Sequence, residues 1–139
     1  MSRILYPRSN SVSAKVVEPS DFEQMFSFIE DHIASGITVT AGSGLSVNIS
    51  TGIIRLKGLV CETDSVENVA SLTASAINYI YVTLARDSNS EAESFSFTKS
   101  ASGTTPTDSL KIAKVTTNGS AVTAVSQVNL TDTLQYALL

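Results

Sequence analysis

His32 is the only histidine of the chain and Cys61 the only cysteine, so the inventory for nucleophilic or metal chemistry is short. A hydrolase triad needs an imidazole beside a nucleophile and an orienting acid. His32 falls late in a helical pattern, next to Asp31, where a cationic ring would simply complement the helix dipole. Cys61 has no partner for an internal disulfide, and one Cys with one His cannot make a zinc set. It reads as a small buried apolar residue. The 13 Asp and Glu residues are scattered over loops and helix faces, and no pair is singled out for acid–base work. Asp87-Ser88-Asn89-Ser90-Glu91 alternates oxygen ligands as calcium loops do, but lacks the glycine and distal Glu of that pattern and reads as a hairpin tip. Gly42-Ser43-Gly44 is too short to cradle phosphate. Three Asn-x-Ser/Thr matches, at Asn48, Asn118 and Asn129, arise readily where Ser and Thr make up roughly a quarter of the chain. The expectation is a protein that is no enzyme, with no cofactor and no metal.

Charge and hydropathy point the same way. The net charge is −4 without a dense Lys/Arg cluster, so the footprint of a nucleic-acid binder is missing. No apolar run approaches the length of a membrane span, and Met1 to Pro7 lacks the apolar core of a signal peptide. Folding in a cytoplasm is expected.

The elements that must position any site are predicted as follows. Residues 1–18 form an extended arm with Arg3, Arg8 and Lys15 as its cations and Ile4, Leu5, Tyr6, Val12, Val16 and Val17 as apolar contacts; it orders on a neighbour or not at all. Residues 19–36 form one amphipathic helix. Ser20 is its N-cap, Glu23 completes a capping box, and Gly36 ends it. Phe22, Met25, Phe26, Ile29 and Ile33 make its apolar stripe, and Phe28 falls on a second face. From Ile37 the period becomes two. Residues 37–130 read as a β-module: short strands around Ile37–Thr40, Leu45–Ser50 and Ile54–Leu56, a bulge or bend at Gly58, a weak strand at Val66–Leu72, then Ile77–Ala85 and Ser94–Thr98. A closing hairpin turns tightly on Asn118-Gly119. Ile80, Val82 and Leu84 face one way in the long strand and Tyr79 and Tyr81 the other, so both faces need cover. Residues 131–139 form an apolar tail. The fold class is mainly β: an arm and one helix, followed by a small antiparallel sandwich or barrel-like module.

The order Gly44-Leu45-Ser46-Val47, Thr51-Gly52-Ile53-Ile54, Gly58-Leu59-Val60, Asn78-Tyr79-Ile80-Tyr81-Val82, Lys111-Ile112-Ala113-Lys114-Val115 and Asn118-Gly119 resembles β-modules of tailed-phage virion proteins, in baseplates, tail fibres and head fibres or capsid appendages. The resemblance covers residues 37–128 and is one of style, with diffuse motifs. It implies a non-enzymatic structural protein of the virion, assembled in the host cytoplasm. Such proteins form trimers or other symmetric oligomers anchored to the particle by the N-terminal region. It implies as partners copies of the chain and other virion proteins. Ending at Leu139, without shaft repeats or a tip, favours an appendage, decoration or baseplate component over a long fibre. The candidate contact residues are Tyr6, Phe22, Phe26, Phe28, Tyr79, Tyr81, Tyr136 and Leu138. The alternative is a carbohydrate-binding or host-receptor-binding module, with a host surface glycan as ligand; the absence of Trp weighs against it.

Overall fold

The computed structural model describes residues 18–130. The chain is mainly β: a short helix precedes ten strands in three antiparallel sheets, arranged like a sandwich. Helix α1 is Pro19–Met25. One sheet has the order β1–β4–β5, with β1 His32–Gly36, β4 Gly52–Leu56 and β5 Leu59–Thr63. A second has the order β2–β3–β6, with β2 Val39–Ala41, β3 Val47–Ile49 and β6 Glu67–Val69. The third and largest has the order β10–β9–β7–β8, with β7 Ile77–Arg86, β8 Ala92–Ser100, β9 Ser109–Thr117 and β10 Val122–Gln127.

The core lies between the large sheet and the two small ones. Ile80, Val82, Leu84, Ile112 and Val115 face Ile33, Val47, Ile49, Ile54 and Leu56, and all of these are buried. Alternation along β7 is as the pattern predicts. The period slips once on β9, where Lys111 and Lys114 are three apart. A bulge at Ile112, between the Ile80–Ala113 and Tyr81–Lys111 pairs, keeps both lysines off the core face while Leu110 and Val115 stay in it.

The helix is shorter than its periodicity predicts, and the expected helix over 19–36 is corrected. It ends at Met25, and His32 and Ile33 begin β1, with Ile33 opposite Ile54. The N-cap is Glu18, not Ser20: Pro19 takes the first helical position, and the Asp21 carboxylate accepts the Glu18 N–H at 2.9 Å. Aromatic and β-branched residues from Phe26 to Ile33 lose side-chain freedom in a helix, and Ser27 hydrogen-bonds the Gln24 carbonyl at 3.3 Å. The spacing of Ile29 and Ile33 matches a helix, but the burial of Ile33 is won by the sheet.

Two turns also differ from expectation. Gly58 is no bulge. Leu56 pairs with Leu59, so Lys57 and Gly58 are a two-residue hairpin turn with φ of +54° and +80°. A Cβ on Gly58 would also lie 3.1 Å from the Phe26 carbonyl carbon and oxygen, so side chains are excluded twice. Asn118-Gly119, by contrast, is not a tight turn. Thr117 pairs with Val122, leaving a four-residue loop with neither Asn118 nor Gly119 at positive φ. The Asn118 carboxamide oxygen organises it by accepting the N–H groups of Ser120 and Ala121, each at 2.8 Å.

The second face of β7 is covered by the chain itself. Tyr81 is fully buried, and its hydroxyl donates to the carbonyls of Ser102 and Thr104 at 2.7 and 3.2 Å. The β8–β9 loop lies over the Tyr79 ring, where a Cβ on Gly103 would come within 3.1 Å, and the Lys111 ammonium sits 4.9 Å from the ring centroid. Replacing Tyr81 by Phe is expected to cost about 1–2 kcal/mol, because two loop carbonyls lose their donor. Urea denaturation of both proteins checks this, and an unchanged midpoint would show that the loop does not depend on the hydroxyl.

Candidate interaction surface

Helix α1 is fastened to the large sheet by charge. Arg86, at the end of β7, donates from Nη1 and Nη2 to the two oxygens of Glu23 at 2.9 and 3.0 Å. Its Nε and Nη2 donate to Asp108 at 2.8 and 3.1 Å, and Nη1 also reaches the Ser90 carbonyl at 3.0 Å. The guanidinium is thus held in a fork on two carboxylates, a strong and directional arrangement. Its pKa is raised by the hydrogen bonds it donates to Asp108 and Glu23, and the Asp108 carboxyl is held below its ordinary range chiefly by Arg86. The Ser20 N–H donates to Glu91 at 2.9 Å, and Asp31 accepts the Lys57 N–H at 2.7 Å, so both flanks of the segment are tied down.

Glu23 is turned to the sheet, and the aromatic residues around it form a ladder of rings. Phe22 and Phe26 stack with centroids 6.3 Å apart and planes 10° from parallel, and Phe28 continues the ladder 6.5 Å from Phe26. Phe22 is 38 % and Phe28 78 % exposed. Of the predicted stripe, Ile33 is in the core and Met25, Phe26 and Ile29 are half-buried, while Phe22 is exposed. Full burial of one Phe side chain is worth about 1.5–3 kcal/mol, so a partner surface could gain several kcal/mol here.

Of the eight predicted contact residues, Phe22, Phe26 and Phe28 come together in this ladder. Tyr79 and Tyr81 lie elsewhere, under the β8–β9 loop; Tyr81, being fully buried, is corrected from a partner contact to a core residue. Tyr6, Tyr136 and Leu138 lie outside the described residues, as do most of the arm and the apolar tail.

The residues first weighed for chemistry are held in structural roles. His32 opens β1 opposite Arg55 rather than ending a helix, with Nδ1 2.7 Å from the Glu30 carbonyl. Cys61 is buried on β5 opposite Ile54, and burial, with Asp31 adding to it, pushes its thiol pKa up to about 11, so it is a thiol at neutral pH. The Asp87–Glu91 loop closes on itself, Asp87 accepting the N–H groups of Asn89 and Glu91 at 2.8 and 2.9 Å. Among the described residues no group of three or more His, Cys, Asp or Glu side chains could hold a metal.

Sequence reasoning missed the Arg86 clamp and a second polar tie. The Gln127 side chain accepts the Val39 N–H at 3.1 Å and donates to the Ile37 carbonyl at 2.8 Å, mimicking a ladder step between β10 and β2. The partners are up to 90 positions apart, and no local pattern announces them. No protein-family model matches the chain, and no curated protein matches it significantly.

The lowered Asp108 pKa sets a sign. Its contribution to stability is present above the ordinary carboxyl value of 3.8 and is lost as pH falls through the lower folded value. Denaturation midpoints of the wild type should therefore drop in acid below about pH 4, and Asp108→Asn should flatten that part of the profile. Arg86→Met, which leaves two facing carboxylates without their donor, should cost about 2–3 kcal/mol at pH 7. Equal acid slopes in wild type and Asp108→Asn would contradict the assignment.

Proposed function

We propose that this chain is a non-enzymatic structural component of a tailed-phage virion, an oligomeric appendage, decoration or baseplate component whose N-terminal region carries its attachment. The observation that carries this reading is Phe28, 78 % exposed at the end of the ring ladder that runs through Phe26 to Phe22. A charge clamp holds the helix to the sheet, and Phe28, three residues beyond its end, faces outward. A contiguous exposed apolar patch rimmed by charge is the mark of an interaction site. The style of the β-module and its weakly charged, Ser/Thr-rich outer faces support the same reading. A glycan-binding role has less support, because Tyr79 and Tyr81 are occupied by the chain's own loop.

The solution mass of the full chain, followed by imaging of the source particle with a labelled antibody, tests this. A symmetric oligomer, a trimer by the resemblance, and label on particles are expected. Phe22→Ser with Phe28→Ser should weaken self-association about a thousandfold, from about 2 kcal/mol lost at each ring. A wild-type monomer at all concentrations, together with unlabelled particles, would contradict the proposal.

A further inference from the structure

Asn118-Gly119 is a strong hairpin-turn motif, yet the fold does not use it as one. Neither residue takes a positive φ, and a Cβ on Gly119 would meet nothing within 4 Å, so neither conformation nor space calls for a glycine there. What the glycine leaves is an uncrowded backbone nitrogen directly after an asparagine. Among the described residues the Gly119 N–H donates no hydrogen bond, and neither does the Asn118 carboxamide nitrogen. The carboxamide oxygen is engaged instead. It accepts the Ser120 and Ala121 N–H groups at 2.8 Å each, with the Ser120 hydroxyl at 3.4 Å. The loop around it is pinned. The Asn118 N–H donates to the Ala121 carbonyl, and the Ser75 N–H donates to the Asn118 carbonyl, each at 2.9 Å. Asn118, Gly119 and Ser120 are all exposed to solvent. The other described asparagines lack part of this set. Asn48, Asn68 and Asn78 lie in strands, ahead of the bulky Ile49, Val69 and Tyr79. After Asn89, the Ser90 N–H is spent on the Asp87 carbonyl at 3.0 Å. The Asn129 carboxamide donates to the Lys111 carbonyl at 2.7 Å.

We propose that Asn118 is a self-modification site: in the folded protein the Gly119 nitrogen attacks the Asn118 side-chain carbonyl, and the asparagine becomes aspartate or isoaspartate through a succinimide. The Gly119 amide gives its proton to solvent hydroxide as its nitrogen bonds to Asn118 Cγ. The electron pair of the C=O bond moves onto Oδ1, where the Ser120 and Ala121 N–H groups already point, so the cradle stabilises the charge as it develops. The pair returns as the Cγ–Nδ2 bond breaks, and the departing nitrogen takes a proton from water and leaves as ammonia. Water then adds to one carbonyl of the ring and opens its bond to the Gly119 nitrogen, leaving a carboxylate. Solvent is the only co-reactant, and nothing is oxidised or reduced. Nucleophile and carbonyl belong to neighbouring residues of a pinned loop, so the first step is unimolecular. The aspartate product keeps the loop, because its carboxylate accepts the same two N–H groups with charge assistance. The modified chain carries one more negative charge beside β9 and β10. The chemistry is independent of the virion reading.

Peptide mass mapping of the folded full chain during incubation at neutral pH tests it. Asn118 should be the first asparagine of residues 18–130 to convert, with the succinimide and then the acid form appearing on the same peptide. It should convert at least as fast as in the chain unfolded in urea, where the cradle is gone. Ser120→Pro, which removes one of the two N–H donors, should slow the conversion about fivefold, the equivalent of one hydrogen bond. Ser120→Ala, which keeps that N–H, should not. Denaturation midpoints show whether each variant is folded, and the wild-type comparison stands without either. An Asn118 that stays intact in the folded chain but converts in urea would overturn the proposal, because the loop would then protect the carbonyl. So would faster conversion at Asn89 or Asn129, or equal rates in the two Ser120 variants.

Discussion

The Arg86 guanidinium, shared between Glu23 and Asp108, is the interaction on which the presentation of this molecule depends. It stands at the end of the longest strand and ties the helix to β7 and to the entry to β9, two strands that already pair with each other. Each fork is charge-assisted and partly shielded from water, so its loss leaves two carboxylates close together without a cation. Glu23 is spent on the sheet, and Phe22, one position and about 100° further round the seven-residue helix, is 38 % exposed. Phe26 and Phe28 extend that surface past the helix end. The Lys57-Gly58 turn belongs to the same arrangement. It lets the helix backbone approach β4 and β5, and Asp31 holds Lys57 in a conformation that a lysine otherwise resists.

The β-module meets its need for cover with local devices. Tyr81 is roofed by the β8–β9 loop and hydrogen-bonded to it, so the two-faced strand is complete within one chain. Asn78, on the core face of the same strand, is satisfied by both backbone groups of Thr73. One flank is zipped by Gln127, whose amide substitutes for two backbone groups. Among the described residues, the large apolar side chains left exposed include Phe22 and Phe28 of the phenylalanine ladder, with Val60, Val66, Ile77 and Leu130 on the β-module.

The β-character was legible because alternation is a strong local signal. Ile80, Val82 and Leu84 on β7 lie on the shared face that the period alone predicts. The helix was over-extended because Ile29 and Ile33 keep helical spacing by coincidence, and the demand for Ile33 in the core, opposite Ile54, outweighed it. The turn residues misled for a similar reason. Asn118-Gly119 favours a tight turn, yet four residues were needed to join Thr117 to Val122, whereas Lys57-Gly58 looked ordinary and became the two-residue turn. The aromatic surface was half legible: Phe28 stood out as off-stripe, but that Phe22 would join it outside could not be read without Arg86. Glu23, Arg86 and Asp108 carry no mutual spacing that a linear pattern could reveal.

The most direct test of this account is hydrogen exchange in Glu23→Gln, which keeps the side-chain shape but removes one of the two charges on Arg86. Exchange across Phe22–Ile29 should rise about tenfold, with β7 and β9 amides unchanged, because the helix loses its tie while the sheet keeps Asp108. Unchanged exchange in that segment, or a uniform rise over the whole chain, would contradict the claim that the Arg86 clamp sets how the helix and its aromatic face are presented.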